Sequence, residues 1–259
     1  MPRCTAPSRA GAIVYANSPR RRIFLLRVVP TALCAWMLAS CSAPARKNDG
    51  TRISSGFSIS SLAKTDIDMV AEVHFRETSA HLRVLMEKLY RRNPREWRKT
   101  GQTSYEAVVA LVFDTRHDWR FQELGYLKGT DAIQLAFRED YQGDRVLAYV
   151  VGLATMHLAA YNDKSEFYAL DELAPQKLYN SARNFEIAAW KLSNARDAKG
   201  ELYLLSNETD GPVKNLSFER EFGKIIAPQD MLARIIAEKT NRTIVRVIQT
   251  MATAVFLPI

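Results

Sequence analysis

The sequence predicts an all-α protein, an irregular helical bundle of about five main helices. Three observations predict it. After residue 65, apolar residues recur three and four apart over long stretches. Helix breakers are sparse, with 11 glycines and 10 prolines in 259 residues. Strand-like alternation is short and imperfect, and only one small β-hairpin is expected, near residues 201–218.

The first helix is expected over 66–92. Thr65 is placed to cap it, and Asp66 and Asp68 stand where the helix dipole favours acids. Ile67, Val70, Val73, Leu82, Leu85, Met86 and Leu89 form its apolar stripe, and Asn93-Pro94 ends it. A basic connector runs to Gly101. A short helix over 104–114 follows, apolar on most sides through Val108, Val109, Leu111, Val112 and Phe113. A polar turn then leads to a helical piece ending near Gly125. Thr130 is expected to cap a helix over 131–141.

Helix 145–161 is apolar all round. At about 15 apolar residues it is short for a membrane span, and it carries His157, so it reads as the central core helix. Pro175 opens a long helix to about 197. Ser217 is expected to cap a short helix to 226. Pro228 then opens the last helix, from 229 to about 256, and Leu257-Pro258-Ile259 packs back on the bundle.

Ahead of this domain the chain changes character. Arg20, Arg21 and Arg22 form a basic block, and residues 23–38 are mostly apolar. A basic stretch, an apolar stretch and small residues before a cleavage point describe a secretory signal. The stretch closes on Leu38-Ala39-Ser40-Cys41, which resembles the lipobox of bacterial lipoproteins. The resemblance implies a signal peptide over 1–40, cleavage between Ser40 and Cys41, and lipid on the Cys41 sulfur. A thiolate is the strongest nucleophile among side chains, and two or more acyl chains give stable anchoring. Residues 41–61 would be the lipidated cysteine and a flexible tether rich in Ser, Ala, Arg and Gly, and 62–259 a single helical domain. Ser42 after the cysteine implies the outer membrane, with the domain facing the periplasm. Arg21-Arg22-Ile23-Phe24-Leu25 is also similar to a twin-arginine export signal, so both export routes stay open.

Cysteine usage and charge agree with this division. The three cysteines are Cys4, Cys34 and Cys41, and cleavage would remove the first two. A chain with one cysteine, at its first residue, forms no internal disulfide and no cysteine metal site. The formal net charge of +8 is misleading. Six of the 36 basic residues and none of the 28 acids precede Cys41, which leaves 30 against 28, a net of +2. That argues against a nucleic-acid partner, which calls for a clustered basic face.

Two groups of residues are candidate sites. His74, Glu77 and His81 lie within about 60° of one another on a helical wheel. Imidazoles and a carboxylate so spaced suit one metal ion, and His157 is a candidate fourth ligand. The bland alternative is a surface pair, Glu77 with His81, and a core histidine at 157. The second group is the basic segment Arg91, Arg92, Arg95, Trp97 and Arg98, either a solvated helix end or a patch for an anionic surface. Ser61-Leu62-Ala63-Lys64 with Lys99-Thr100-Gly101 is similar to the signature of penicillin-binding enzymes, but the second triplet follows far too soon in the chain. The expectation is a lipid-anchored envelope protein without cofactor that works by binding, as an accessory or scaffold for an envelope protein partner. The alternative is a helical periplasmic protein that binds metal or a small ligand.

Overall fold

The structure, a computed structural model, describes residues 65–168, 172–209 and 211–259. These form an all-α bundle with seven α-helices: α1 (Asp66–Arg92), α2 (Pro94–Arg98), α3 (Tyr105–Phe113), α4 (Gly129–Leu135), α5 (Arg145–Ala160), α6 (Pro175–Asn194) and α7 (Ser217–Thr240). Four are long and three are short. Short 3-10 turns lie at Gln122–Leu124 and Met251–Thr253. Among the described residues, no helix is long and apolar enough to cross a membrane.

α1 starts where its sequence says it should. Thr65 Oγ1 accepts from the Asp68 amide, and Asp68 Oδ2 accepts from the Thr65 amide at 2.7 Å, a complete capping box. The buried face of α1 differs from its expected stripe at the N-terminal end. Val70 and Val73 point outward, and Ala71, Phe75 and Thr78 take the inner positions. α5 is the central helix, buried along almost its whole length. Asp144 caps it, accepting from the amides of Val146 and Leu147 at 2.9 and 3.0 Å, and Glu96 of α2 accepts from the Arg145 amide at 2.8 Å. Two buried carboxylates thus satisfy the free donors at this helix end.

The core has two apolar clusters. The larger holds Leu82, Leu85 and Leu89 of α1, most of α5, Phe185 and Leu192 of α6, and Phe218, Phe222 and Ile225 of α7. The smaller holds Ala71 of α1, Ala160 and Tyr161 at the end of α5, Leu178 of α6, and Leu232 and Ile236 of α7. Along their lengths, α1 and α6 run from the smaller cluster to the larger, and α5 and α7 run back. Where the four helices pass from one to the other, each contributes a buried polar side chain: Thr78, His157, Ser181 and Gln229. A polar layer therefore separates two apolar ones.

Three expected elements are corrected. The helix expected over 131–141 begins at Gly129 and ends at Leu135, and Thr130 lies inside it. The guanidinium of Arg145 donates to the carbonyls of Ala136, Arg138 and Tyr141 at 2.7, 2.9 and 2.8 Å, which holds 136–141 open. Among the described residues the hairpin near 201–218 is not formed, and isolated bridges join Arg196 to Leu202 and Glu208 to Asn215. The Asn93 side chain takes both backbone groups of Leu205, at 2.8 and 2.9 Å, that a strand partner would use.

The third correction concerns α7. It runs unbroken through Pro228, with Gln229 Nε2 donating to the Ile225 carbonyl at 3.2 Å beside the lost bond. Ser217 lies inside the helix rather than capping it. Asn215 and Asn207 accept from the Ser217 and Phe218 amides. α7 stops at Thr240 because Asn241 adopts a left-handed conformation (φ 51°) and the Arg242 amide bonds back to Ala237. Residues 241–259 form an irregular arm. Its end does pack back: Asn184 holds the Leu257 amide and carbonyl at 2.6 and 2.8 Å, and Asn180 donates to the Pro258 carbonyl at 2.8 Å.

Candidate functional site

The lipidation and cleavage residues, Leu38, Ala39, Ser40 and Cys41, lie outside the described residues, as do Ser61 and Lys64.

The histidine set does not converge. Glu77 is exposed. His81 Nδ1 lies 2.9 Å from Glu221 Oε2 of α7, so its carboxylate partner comes from another helix. His74 is half-buried with the Pro228 carbonyl of α7 beside it, and burial holds its pKa below the ordinary value. His157 lies in the polar layer. Its ring stacks on Phe75 at 4.8 Å and 17°, and its Nε2 is 3.4 Å from the Phe75 carbonyl. Burial pushes its pKa down to about 4, so the ring is neutral at neutral pH. Among the described residues, no three His, Cys, Asp or Glu side chains gather as a metal set.

The fourth histidine, His117, was not singled out from sequence. Its Nε2 donates to the Val112 carbonyl at 2.8 Å and its Nδ1 accepts from the Trp119 amide at 3.0 Å. Both nitrogens are used, so the ring is a structural pin. It sits beside an open groove of about 610 Å³ with Phe75, Phe113 and Trp119 in its wall. The signal for this pin, His117 two residues before Trp119 and four before Phe121, is too local to be read as a site.

The basic segment at the end of α1 and in α2 is largely absorbed by the protein itself. Arg91 Nε donates to the Tyr105 hydroxyl at 3.0 Å, and Arg92 reaches Glu208 at 3.5 Å. Arg98 lies over the half-buried Trp97 ring at 5.4 Å. Lys99 is fixed by both oxygens of Glu96 at 2.8 Å. Arg95 remains exposed at the mouth of a groove of about 730 Å³ between α2 and the 196–205 loop.

A second basic groove, of about 720 Å³, lies at the opposite end of the bundle, between α6, the last turns of α7 and the arm. Arg183, Arg234, Arg242 and Arg246 line it, with Asp230 and Glu238. Arg183 is held by Asp230 at 2.5 Å and Glu186 at 3.1 Å, and rests over the Tyr179 ring. Arg242 makes an exposed pair with Glu172 at 3.0 Å. Arg234 and Arg246 are exposed. The arm carries Val245 and Ile248, 68 % and 99 % exposed. It is fixed to α6 along one edge, where Gln176 takes both backbone groups of Val245 and the Tyr179 hydroxyl accepts from the Val247 amide. Sequence reasoning missed this face by extending the last helix through it. The signal was available: Thr243-Ile244-Val245-Arg246-Val247-Ile248 is dense in β-branched residues, which are poor helix formers.

No family model, curated protein or solved structure matches the chain.

Proposed function

We propose that this chain is a lipid-anchored cell-envelope protein, held in the outer membrane through Cys41 and facing the periplasm. Its helical domain works by binding, as an accessory or scaffold for an envelope protein, without cofactor or nucleic acid. The observation that carries the reading is Leu38-Ala39-Ser40-Cys41 at the end of an apolar stretch behind three arginines. The form of the domain supports a binding role. Its grooves are open, His81 and His117 are engaged by partners within the fold, and its exposed apolar side chains include Val213, Met231 and Ile248.

The test is Cys41→Ala in the native host, with a clickable palmitate fed to the cells. Wild type is expected to carry the label and fractionate with the outer membrane. The variant is expected to lose the label and keep its leader. A variant that is processed and localised as wild type would refute the anchor.

A further inference from the structure

The basic groove and the arm lie at the end of the bundle where the chain enters α1. Ile67 and Phe75 of the first turns of α1 and Ile244 of the arm pack on the same small apolar cluster. Cys41 precedes Thr65 by 24 residues, so a lipid on its sulfur is joined covalently to this end. Arg91 to Arg98 sit at the other end of α1, which at 27 residues is about 40 Å long. Of these, Arg91, Arg92 and Arg98 are engaged within the fold, and Arg95 is exposed.

Two chemistries adjoin at the entry end. Arg234, Arg242 and Arg246 are exposed guanidiniums, opposed in the groove by Glu238 and beside it by Glu172, which is itself 79 % exposed on its side chain. Directly along the arm are Val245, Val247 and Ile248, apolar side chains in the open. Met69, Val70 and Val73 leave more apolar surface open on the first turns of α1. Guanidiniums take phosphate oxygens through paired donors, and apolar side chains beside them favour the boundary between headgroups and acyl chains. A soluble ligand would use the arginines but not an isoleucine left fully in water.

We propose that this end is a membrane-docking face, in which Arg234, Arg242 and Arg246 hold phosphate headgroups of anionic lipid while Val245, Val247 and Ile248 enter the interface. The proposal rests on the anchored reading above. With a lipid on Cys41 the face is kept near the bilayer, so a contact that is weak on its own becomes an intramolecular one. Docking then fixes the orientation of the domain and turns the far end, with the groove at Arg95 and Arg196, away from the lipid.

The experiment uses the chain from residue 41 with Cys41→Ala, which keeps every described residue and both core clusters. Its binding is measured by co-sedimentation with vesicles of phosphatidylcholine alone and with 30 mol % phosphatidylglycerol. Binding to the anionic vesicles, falling as salt is raised, is expected. The combined Arg234→Gln, Arg242→Gln and Arg246→Gln variant should bind about a hundredfold more weakly, at about fivefold per arginine. Ile248→Ser should weaken binding at high salt as well, and an Ile248→Trp variant should shift its emission to the blue on anionic vesicles. Replacing Arg91, Arg92, Arg95 and Arg98 with Gln should leave binding unchanged.

Three results would overturn the proposal: equal binding by wild type and the triple variant, loss of binding in the Arg91 to Arg98 variant instead, or displacement from vesicles by millimolar inorganic phosphate with no change in the emission of the Ile248→Trp variant. The last would make the groove a site for soluble phosphate. Palmitate labelling of the full chain separates the two readings. Label on Cys41 without vesicle binding removes the docking face alone, and vesicle binding without label removes the anchor alone.

Discussion

His157 and Asp144 show how burial and local partners set the charge of single residues. His157 has its folded-state pKa pushed down to about 4 from an ordinary 6.5, mainly by burial. Its contribution to stability is complete above pH 6.5 and is lost as pH falls through about 4. Asp144 is pushed the other way. Burial raises it from 3.8 to about 6, against the hydrogen bonds from Tyr90 and the Val146 and Leu147 amides that pull it down. Its contribution is complete below pH 3.8 and is lost as pH rises through about 6. The two groups oppose each other over the same window, each by roughly 3 kcal/mol. Urea unfolding between pH 7 and pH 4 should therefore show His157→Gln gaining stability relative to wild type on acidification, and Asp144→Asn losing it. Profiles parallel to wild type would contradict this balance. His157 was legible in sequence as the one histidine inside an apolar helix. The partner of His81 was not, because a helical wheel sees one helix and Glu221 is 140 residues away.

At the scale of elements, α4 and α5 pack in close approach. A Cβ placed on Gly152 would meet the Ile133 backbone nitrogen at 2.6 Å and the Gly129 carbonyl at 2.8 Å. Those neighbours are backbone and have nowhere to go. The same junction is pinned by Thr155 Oγ1, which accepts from the Gly129 amide at 2.6 Å. Gly152→Ala should cost about 3 kcal/mol, the upper part of the range for overpacking, read as a lower urea midpoint with an unchanged slope. An unchanged midpoint would mean the helices separate freely. Helix starts were legible where a single residue type decides them, as at Thr65 and Pro175. Helix ends were less so. Leu135 ends α4 because Arg145, ten residues on, captures the carbonyls that follow, and Pro228 looked like a start but sits inside a longer helix. Propensity describes the chain alone, and these boundaries were decided by groups brought in from elsewhere.

Across the whole molecule, the all-α class and the central place of α5 were legible because both follow from apolar periodicity. The layering of the core was not. It depends on the direction each helix runs, which puts Thr78, His157, Ser181 and Gln229 at one level. The chain end is tied into this arrangement. Asn184 is fully buried and holds Leu257 by both amide and carbonyl, and Ile259 packs against both apolar clusters. Asn184→Ala should remove both bonds, cost about 1–3 kcal/mol, and free the Leu257 amide to exchange with solvent ahead of the helices. Hydrogen exchange at Leu257 that still tracks global unfolding would show the tail to be held by apolar packing alone.

The capping box at Thr65 also has a mechanical side. Any pull arriving along the preceding chain loads Thr65 first and is then carried down the axis of α1. That helix packs along its flanks against α3, α5 and α7. The load is met in shear, by many side-by-side contacts at once, rather than by peeling one turn at a time.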